Sequence, residues 1–559
     1  MSEKKRALVD CAFLGAVIGL STLPYIARLG FYYDDYSVLG RMSAVHDGSL
    51  SNLYHAVRPL TGQRPLQALT FATLYLLFGT HALGYHICNA CLLVVVAALL
   101  YLVLRELRLP RLVCVALPLV YSTLPHYATN RYWLDAFQIN LSSAFFLGGV
   151  YAGFRAVRGR SPQHLLWLGV ALLCIAGSLL AYEVVYPLFL LAVVLLWRAA
   201  RTREPVFGGH TRRIEVGVFA AGLLAVGLAK TALVAEHGQN AYQVGFGGGY
   251  AHHVAYLVSG AVKLNVGTYF LAMPYVLWWI VVHRFSAVNA AVAVGCGLIA
   301  LGYLVHVGRR EGDVFAARKT WRTLALVGLA TFVLGYAIFL TSQSILFRSA
   351  AIDNRVNAAA ALGVAGVLVG WVGLLARQVE ARRRLLVFAS TLGCAVAVGV
   401  FVVDTLGSFW TSAAQRQRAL VREVRGAVGP GPGSTMVILD GVCPEDGPAV
   451  VFADQYDLRG ALRVAYHDPS LGADVATEGL RAEPRDLALE MTFLDAKSTR
   501  TYPYGRTLLV YDAETRRLHR LRDRAEAEGY LARSRPVFSC PPQRSFAWGF
   551  DPSRRLSLP

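Results

Sequence analysis

Charge is scarce in this 559-residue sequence: Asp, Glu, Lys and Arg together make up 16%, where soluble chains carry about 25%. Hydrophobic residues reach 55% and the mean hydropathy is +0.46. An ordinary soluble enzyme is excluded, because it would break its apolar positions into short amphipathic stretches. Lysine is nearly missing, confined to Lys4, Lys5, Lys230, Lys263, Lys319 and Lys497, so the net charge of +19 is carried almost wholly by arginine. Those arginines fall in short turns between apolar blocks and form no aromatic-interleaved basic face, so they argue topology and no nucleic-acid partner. Nucleotide-binding loops are missing too. The glycines at 245–249 lack the strand, helix and third-glycine placement of a dinucleotide loop, and 429–435 lacks the lysine of a phosphate loop, so no nucleotide cofactor is expected. His252-His253 has neither a cysteine nor a spaced carboxylate beside it and reads as an interfacial pair.

What remains is a series of apolar blocks, each about the 20 residues needed to cross a bilayer core. They fall at 7–25, 84–105, 111–128, 137–157, 164–181, 184–200, 213–235, 286–307, 322–342, 357–377 and 384–404. The expected fold is an all-α polytopic membrane protein of about 11 to 13 spans, with a polar C-terminal α/β domain. Starting the first helix in the cytoplasm puts five arginine-rich turns on one side: Arg105 and Arg108, 155–160, 198–213, 309–322 and 377–384. The positive-inside rule asks for that arrangement. The stretch 254–282 is apolar enough to cross, but one crossing there would invert the later turns. It must lie along the outer surface, re-enter, or form a hairpin.

The same parity places 27–82, 236–285 and the region from about 405 outside. The domains read as 1–404, membrane-embedded, and 405–559, an extracytoplasmic α/β domain on a multi-pass protein of the inner (cytoplasmic) membrane. In the latter, 412–428 looks helical, a Gly-Pro-Gly-Pro-Gly breaker follows, 436–439 and 507–511 read as strands, and 514–528 as a charged helix. Cys443 and Cys540 are its only cysteines, and a pair in one small domain of an oxidising compartment favours a disulfide.

Every short outer loop carries an ionisable residue next to a helix end, where charge is costly and calls for a function. Asp34 and Asp35 lie between tyrosines in the first. Arg64-Pro65-Leu66 precedes an apolar segment ending Phe78-Gly79, with Tyr85-His86 beyond. Arg131 and Asp135 share the next loop, Glu183 marks a turn between spans, and Arg348, Asp353 and Arg355 lie in a later loop, with Lys230 and Lys263 able to reach the same face.

In Asp34-Asp35, Arg64-Pro65-Leu66, Phe78-Gly79, Tyr85-His86 and Glu183 the chain resembles the GT-C glycosyltransferases. These polytopic enzymes take a sugar from a polyprenyl-phosphate carrier, and the layout is similar to their protein O-mannosyltransferase and aminoarabinose transferase branch. The Trp-Trp-Asp-Tyr-Gly signature of oligosaccharyltransferases is missing, which argues against bloc transfer of a glycan to asparagine. The resemblance implies an inverting transferase with an outer-loop acid as general base. Asp34 matches the leading acidic position, with Asp35 as its orienter or substitute. A departing lipid phosphate needs cations, for which Arg64, Arg131, Lys263, Arg348 and Arg355 are candidates. Asp135 and Glu183 bind sugar hydroxyls or a divalent cation (Mg2+ or Mn2+), or else pair with a nearby arginine. The cation stays open, because hard cations want several oxygen ligands and the visible carboxylates are scattered. The expected partners are the lipid-linked sugar, membrane lipids, and an acceptor that is protein, lipid or polysaccharide. The rival readings are a flippase or transporter of lipid-linked sugars, and a non-catalytic scaffold with an outer binding domain.

Overall fold

The computed structural model describes residues 2–158, 163–201, 209–236, 249–341, 345–431, 433–477, 479–493 and 496–533. Each of the eleven predicted spans is found as a helix, and among the described residues eight helices are long and apolar enough to cross a membrane. The chain opens with α1 (Glu3–Thr22), whose N-terminus is capped by the Ser2 hydroxyl. Three shorter helices follow: α2 (Asp34–Met42), α3 (Leu50–Thr61) and α4 (Pro65–Phe78), the last with proline at its first turn. Then come α5 (Ala82–Glu106), α6 (Arg111–Thr123), the single turn α7 (Thr129–Tyr132), α8 (Phe137–Arg158), α9 (Gln163–Ala181), α10 (Leu188–Arg201) and α11 (Gly209–Glu236). α6 stops short of the predicted 128 because Leu124 turns extended ahead of Pro125. The second half holds α12 (Tyr250–Val262), α13 (Met273–His283), α14 (Ala287–Gly308), α15 (Arg318–Ala337), α16 (Ala358–Ala376) and α17 (Ala381–Val428).

Polar contacts at the two ends of the bundle show how the spans alternate. At one end, Asp10 of α1 accepts from Arg111 Nε and Nη2 (2.8 and 2.7 Å) and from the hydroxyls of Tyr101 and Tyr303 (2.6 Å each). Glu311 caps α6 through the amides of Arg111 and Leu112, while Glu3 pairs with Arg105, Glu106 with Arg158, and Asp313 with Arg384. The arginine-rich turns at Arg105, Arg158, 309–322 and 377–384 therefore share that end. At the other, the Tyr132 hydroxyl donates to the Val403 carbonyl and that of Tyr32 to the Trp410 carbonyl.

The ambiguous segment 254–282 is resolved by its partners. α12 runs into a π-helical stretch, Lys263–Leu271, and the total length would cross a membrane. Yet His253 Nε2 bonds the Phe339 carbonyl, Tyr269 donates to the Ser349 carbonyl, and Arg284 lies 3.8 Å from Asp446. Both ends are thus held on the side of the α/β domain, and the segment does not carry the chain across. Elsewhere small residues bring helices close, as in membranes generally. A Cβ added at Gly363 of α16 would meet Phe332 N of α15 at 2.2 Å.

α17 continues without a break past residue 404 to Val428, so its polar end rises out of the bundle as a post for the α/β domain. That domain has β1 (Met436–Asp440), the short hairpin β2 (Glu445–Asp446) and β3 (Ala449–Val450), α18 (Gln455–Tyr466), β4 (Gly472–Val475), β5 (Gly479–Ala482), β6 (Asp486–Phe493), β7 (Ala496–Pro503), β8 (Leu508–Asp512), β9 (Arg517–Arg520) and α19 (Arg524–Leu531). The main sheet runs β4-β1-β8-β9, with β9 antiparallel, and β5-β6-β7 form a second sheet. Successive side chains of a strand face opposite ways. Val437 and Leu439 of β1 join the core cluster shared with the membrane helices, while Ile438 packs with Leu487, Leu489 and Val510. The predicted helix over 514–528 is corrected. Asp512 caps a turn through the amides of Glu514 and Thr515, the chain reverses into β9, and helix begins only at Arg524. Cys443 is buried; Cys540, and with it the predicted disulfide, lies outside the described residues.

Candidate active site

Asp34 and Asp35 open α2 immediately after Tyr33, which holds φ +50, an uncommon conformation for a bulky side chain. Across the site Ala351 holds φ +65 just before Asp353 and Arg355. Two strained backbone positions thus border one cluster of charges, a pattern characteristic of functional sites.

The adjacent carboxylates have opposite surroundings. Asp35 is buried and fully engaged: Oδ2 accepts from the amides of Tyr32 (3.0 Å) and Leu134 (3.4 Å), and Oδ1 from that of Asp135 (2.8 Å). It clamps the first loop to the second, aided by the Trp133 indole, which donates to the Tyr32 carbonyl. Burial raises its pKa, and the Tyr32 and Asp135 amides oppose that rise. Asp35 is therefore a clamp in this structure, held by three backbone amides. The Asp34 carboxylate makes no hydrogen bond among the described residues and lines a cavity of about 470 Å³. Burial, and then the Asp135 carboxylate, push its pKa up to about 7, while Arg355 pulls the other way.

The cations converge on the same place. Arg64 grips Glu183 with Nε (3.2 Å) and Nη2 (2.5 Å), stacks 4.1 Å over the Tyr182 ring, and shares Glu183 with Lys230 Nζ at 3.3 Å. Burial alone would raise the Glu183 pKa, but Arg64 and then Lys230 more than offset it, and the group falls to about 2. Arg64 and Glu183 are one ion pair, the alternative that the sequence left open for Glu183. Asp135 accepts from Gln67 Nε2 (2.8 Å) and Gln138 Nε2 (3.4 Å). Arg355 lies 4.6 Å over the Trp133 ring and interacts with both Asp34 and Asp135.

Other expected members lie apart. Arg131 is buried and turns back along its own loop, donating to the Ser122 carbonyl and, at 3.5 Å, to Ser21, so it braces the helices and does not face the cavity. Lys263 is exposed on the π-helical stretch and forms no ion pair among the described residues. Arg348 is half exposed and pairs with Asp353 at 3.5 Å, one step removed from Arg355. Among the described residues no three His, Cys, Asp or Glu side chains gather as metal ligands. The donor set is unsuited to a hard cation as well, since Asp35 is taken by amides and Asp135 by two glutamines.

The residues that sequence reasoning missed come from the α/β domain. α18 lies along α2, with Gly40 against Gly460: a Cβ on Gly460 would meet the Tyr36 carbonyl oxygen at 2.0 Å. Tyr456, Arg459 and Arg463 thereby reach the Asp34 cavity. The amphipathic spacing of 455–466, with Asp454 and Asp457 forming a capping box, was the available signal.

Fold and site together define a polytopic helical membrane protein with a carboxylate and guanidinium centre beneath an α/β domain. No family model matches the chain, and no curated protein does. Among solved structures, it aligns with crystal structures of ArnT from Cupriavidus metallidurans, one bound to undecaprenyl phosphate and one in the apo state. Each alignment covers 83% of this chain and 85% of the other, at 12% and 13% identity respectively, with a TM-score of 0.36. A score that low carries neither fold nor chemistry from those proteins to this one.

Proposed function

We propose that the protein is an inverting glycosyltransferase of the GT-C type, moving a sugar from a polyprenyl-phosphate carrier to an acceptor hydroxyl at the membrane face that carries the α/β domain. That face is read as extracytoplasmic, because the arginine-rich turns gather at the opposite end of the bundle. The acceptor oxygen bonds to the anomeric carbon from one face as the carbon–oxygen bond to phosphate breaks on the other. The electron pair leaves on the phosphate oxygen, and the hydroxyl proton passes to Asp34. No covalent sugar–enzyme intermediate is needed. Arg355, together with Arg64 and Lys230, stabilises the charge that grows on the departing phosphate.

The observation that carries this reading is the contrast among the site's acids. Asp35, Asp135 and Glu183 are each tied to donors, whereas Asp34 is unpartnered on a cavity with its pKa near neutrality. The test is discharge of radiolabelled sugar from a polyprenyl-phosphate donor by purified protein, with the anomeric configuration of the product determined by NMR. Wild type is expected to form an inverted glycoside, and Asp34→Asn to be slower by roughly 100-fold or more. Full transfer by a folded Asp34→Asn/Asp35→Asn protein would overturn the reading. Movement of intact donor across the bilayer without glycoside formation would make it a flippase.

A further inference from the structure

The 470 Å³ cavity beside Asp34 is walled by Ser37, Gly40 and Arg41 of α2, Leu60 of α3, and Tyr456, Arg459, Gly460 and Arg463 of α18. None of these belongs to a membrane span. A lipid-linked donor arriving through the bilayer would approach Arg64, Lys230 and Arg355, which do not line the cleft, so this space is open to a second molecule. On α2 the lining positions are 34, 37, 40 and 41, and on α18 they are 456, 459, 460 and 463, each a single helical stripe. The helices run in the same sense. Asp34 interacts with Tyr456 at one end, and Arg41 with Arg463 at the other.

The far end is an uncompensated cluster of positive charge. Arg41, Arg459 and Arg463 form no ion pair among the described residues. The pKa of Arg463 is depressed by burial and then by its neighbours Arg459 and Arg41, with Asp468 opposing them, while its Nε donates to the Leu471 carbonyl at 2.9 Å. Three guanidiniums held together without a partner carboxylate are stabilised by an anion, which they grip through paired N–H donors. Seven residues of helix separate Asp34 from Arg41, on the order of 10 Å at 1.5 Å per residue.

We propose that this cleft is the acceptor site and selects an anionic acceptor, with a phosphate or carboxylate held by Arg41, Arg459 and Arg463 and the hydroxyl to be glycosylated on the order of 10 Å away at Asp34. The anion site stands on the cleft alone; its role as acceptor site rests on the transferase reading above. The α/β domain is then part of the specificity machinery, supplying two of the three guanidiniums. The oxyanion can belong to a soluble molecule or to a lipid headgroup.

Binding separates these cases without any transfer assay. The full-length protein in phosphatidylcholine nanodiscs is titrated with inorganic phosphate and with acetate by calorimetry. In a second arm, nanodiscs containing phosphatidylglycerol are compared with phosphatidylcholine alone for co-purified anionic lipid. Saturable binding of a free anion assigns a soluble acceptor, and selective retention of phosphatidylglycerol assigns a headgroup. In either arm, measured in an Arg64→Gln background that removes the donor-phosphate contact, Arg459→Gln/Arg463→Gln is expected to weaken binding tenfold or more. If the double Gln variant fails to fold, Arg459→Lys/Arg463→Lys keeps the charge but loses the bidentate grip, and an intermediate loss is expected. Equal binding in that background with and without the Arg459/Arg463 substitutions in both arms, or loss of all binding in Arg64→Gln alone, would overturn the proposal. If the variants lose anion binding and wild type transfers no sugar, the anion site stands and the transferase reading falls.

Discussion

Asp34 and Asp35 are chemically identical neighbours that should respond oppositely to the same substitution. Asn at 35 keeps one acceptor oxygen and turns an NH2 toward amides that need an acceptor. Depending on its rotamer, either the Asp135 amide or those of Tyr32 and Leu134 lose their partner. A buried donor left unsatisfied costs about 1–3 kcal/mol, so Asp35→Asn should destabilise the protein by at least that much and loosen the Asp34 loop. Asn at 34 breaks no hydrogen bond and removes a carboxylate that Asp135 repels. Its melting temperature should equal or exceed that of wild type, while turnover falls roughly 100-fold or more. The sign of the pH effect follows from the raised pKa. Folded Asp34 holds its proton more tightly than an unfolded aspartate, so its contribution to stability declines as pH rises from the usual carboxylate range through about 7. The stabilisation by Asp34→Asn should therefore be larger at pH 8 than at pH 5. Thermal unfolding in detergent at fixed scan rate, paired with the donor-discharge assay, reads both effects. Asp34→Asn melting as low as Asp35→Asn, or Asp35→Asn melting like wild type, would refute the division of roles.

Transfer should fall about tenfold per pH unit below about 7 as Asp34 is protonated, and that limb should vanish from the residual activity of Asp34→Asn, as a pH–rate profile would record. Asp10→Ala removes the acceptor for Arg111 and two tyrosine hydroxyls and should cost about 3–5 kcal/mol, seen as a lower melting temperature, while any surviving folded protein keeps its KM. Arg64→Gln should weaken donor binding with little change in melting temperature, because Lys230 still neutralises Glu183; an unchanged KM for donor would contradict its assignment. A phosphatase reporter, active only outside the cytoplasm, should be active when fused after Asp512 and silent when fused after Arg309.

How much of this was legible depended on whether the interacting residues lay close together in the chain. Apolar runs report spans directly, and charge parity argued against a single crossing by 254–282, both ends of which contact the side of the α/β domain. Strands β1 and β8 showed as short β-rich runs, but β9 was hidden in a charged stretch, because its pairing is specified by the Asp512 turn and not by its own composition. The acid at 34 was visible from its place between tyrosines. Its difference from Asp35 was not, since that rests on the amides of Leu134 and Asp135, about a hundred residues away. Arg64 and Glu183 were both singled out, yet their pairing spans 119 residues and no local rule announces it. Sequence puts Arg131 in the same loop as Asp135, but the two face different ways. The single turn of α7 sends the Arg131 side chain back toward Ser122, while Asp135 faces Gln67.

Docking of the α/β domain ties these observations into one mechanism. Its sheet does not pack on the bundle through a polar seam that could open. Val437, Leu439, Ala473, Leu458 and Leu462 belong to the same apolar core as the membrane helices, and Gly40 and Gly460 bring two backbones into contact. Swinging the domain away would expose several of these side chains at about 1.5–3 kcal/mol each, so the cleft between α2 and α18 is built in advance of any ligand. Preorganisation of this kind lowers a barrier by fixing reactants before the reaction begins. It also explains why the carboxylates beside Asp34 are all bound to donors. In a fixed, partly dry site every unpartnered charge is expensive, and the one left unpartnered is Asp34, the group proposed above as the base.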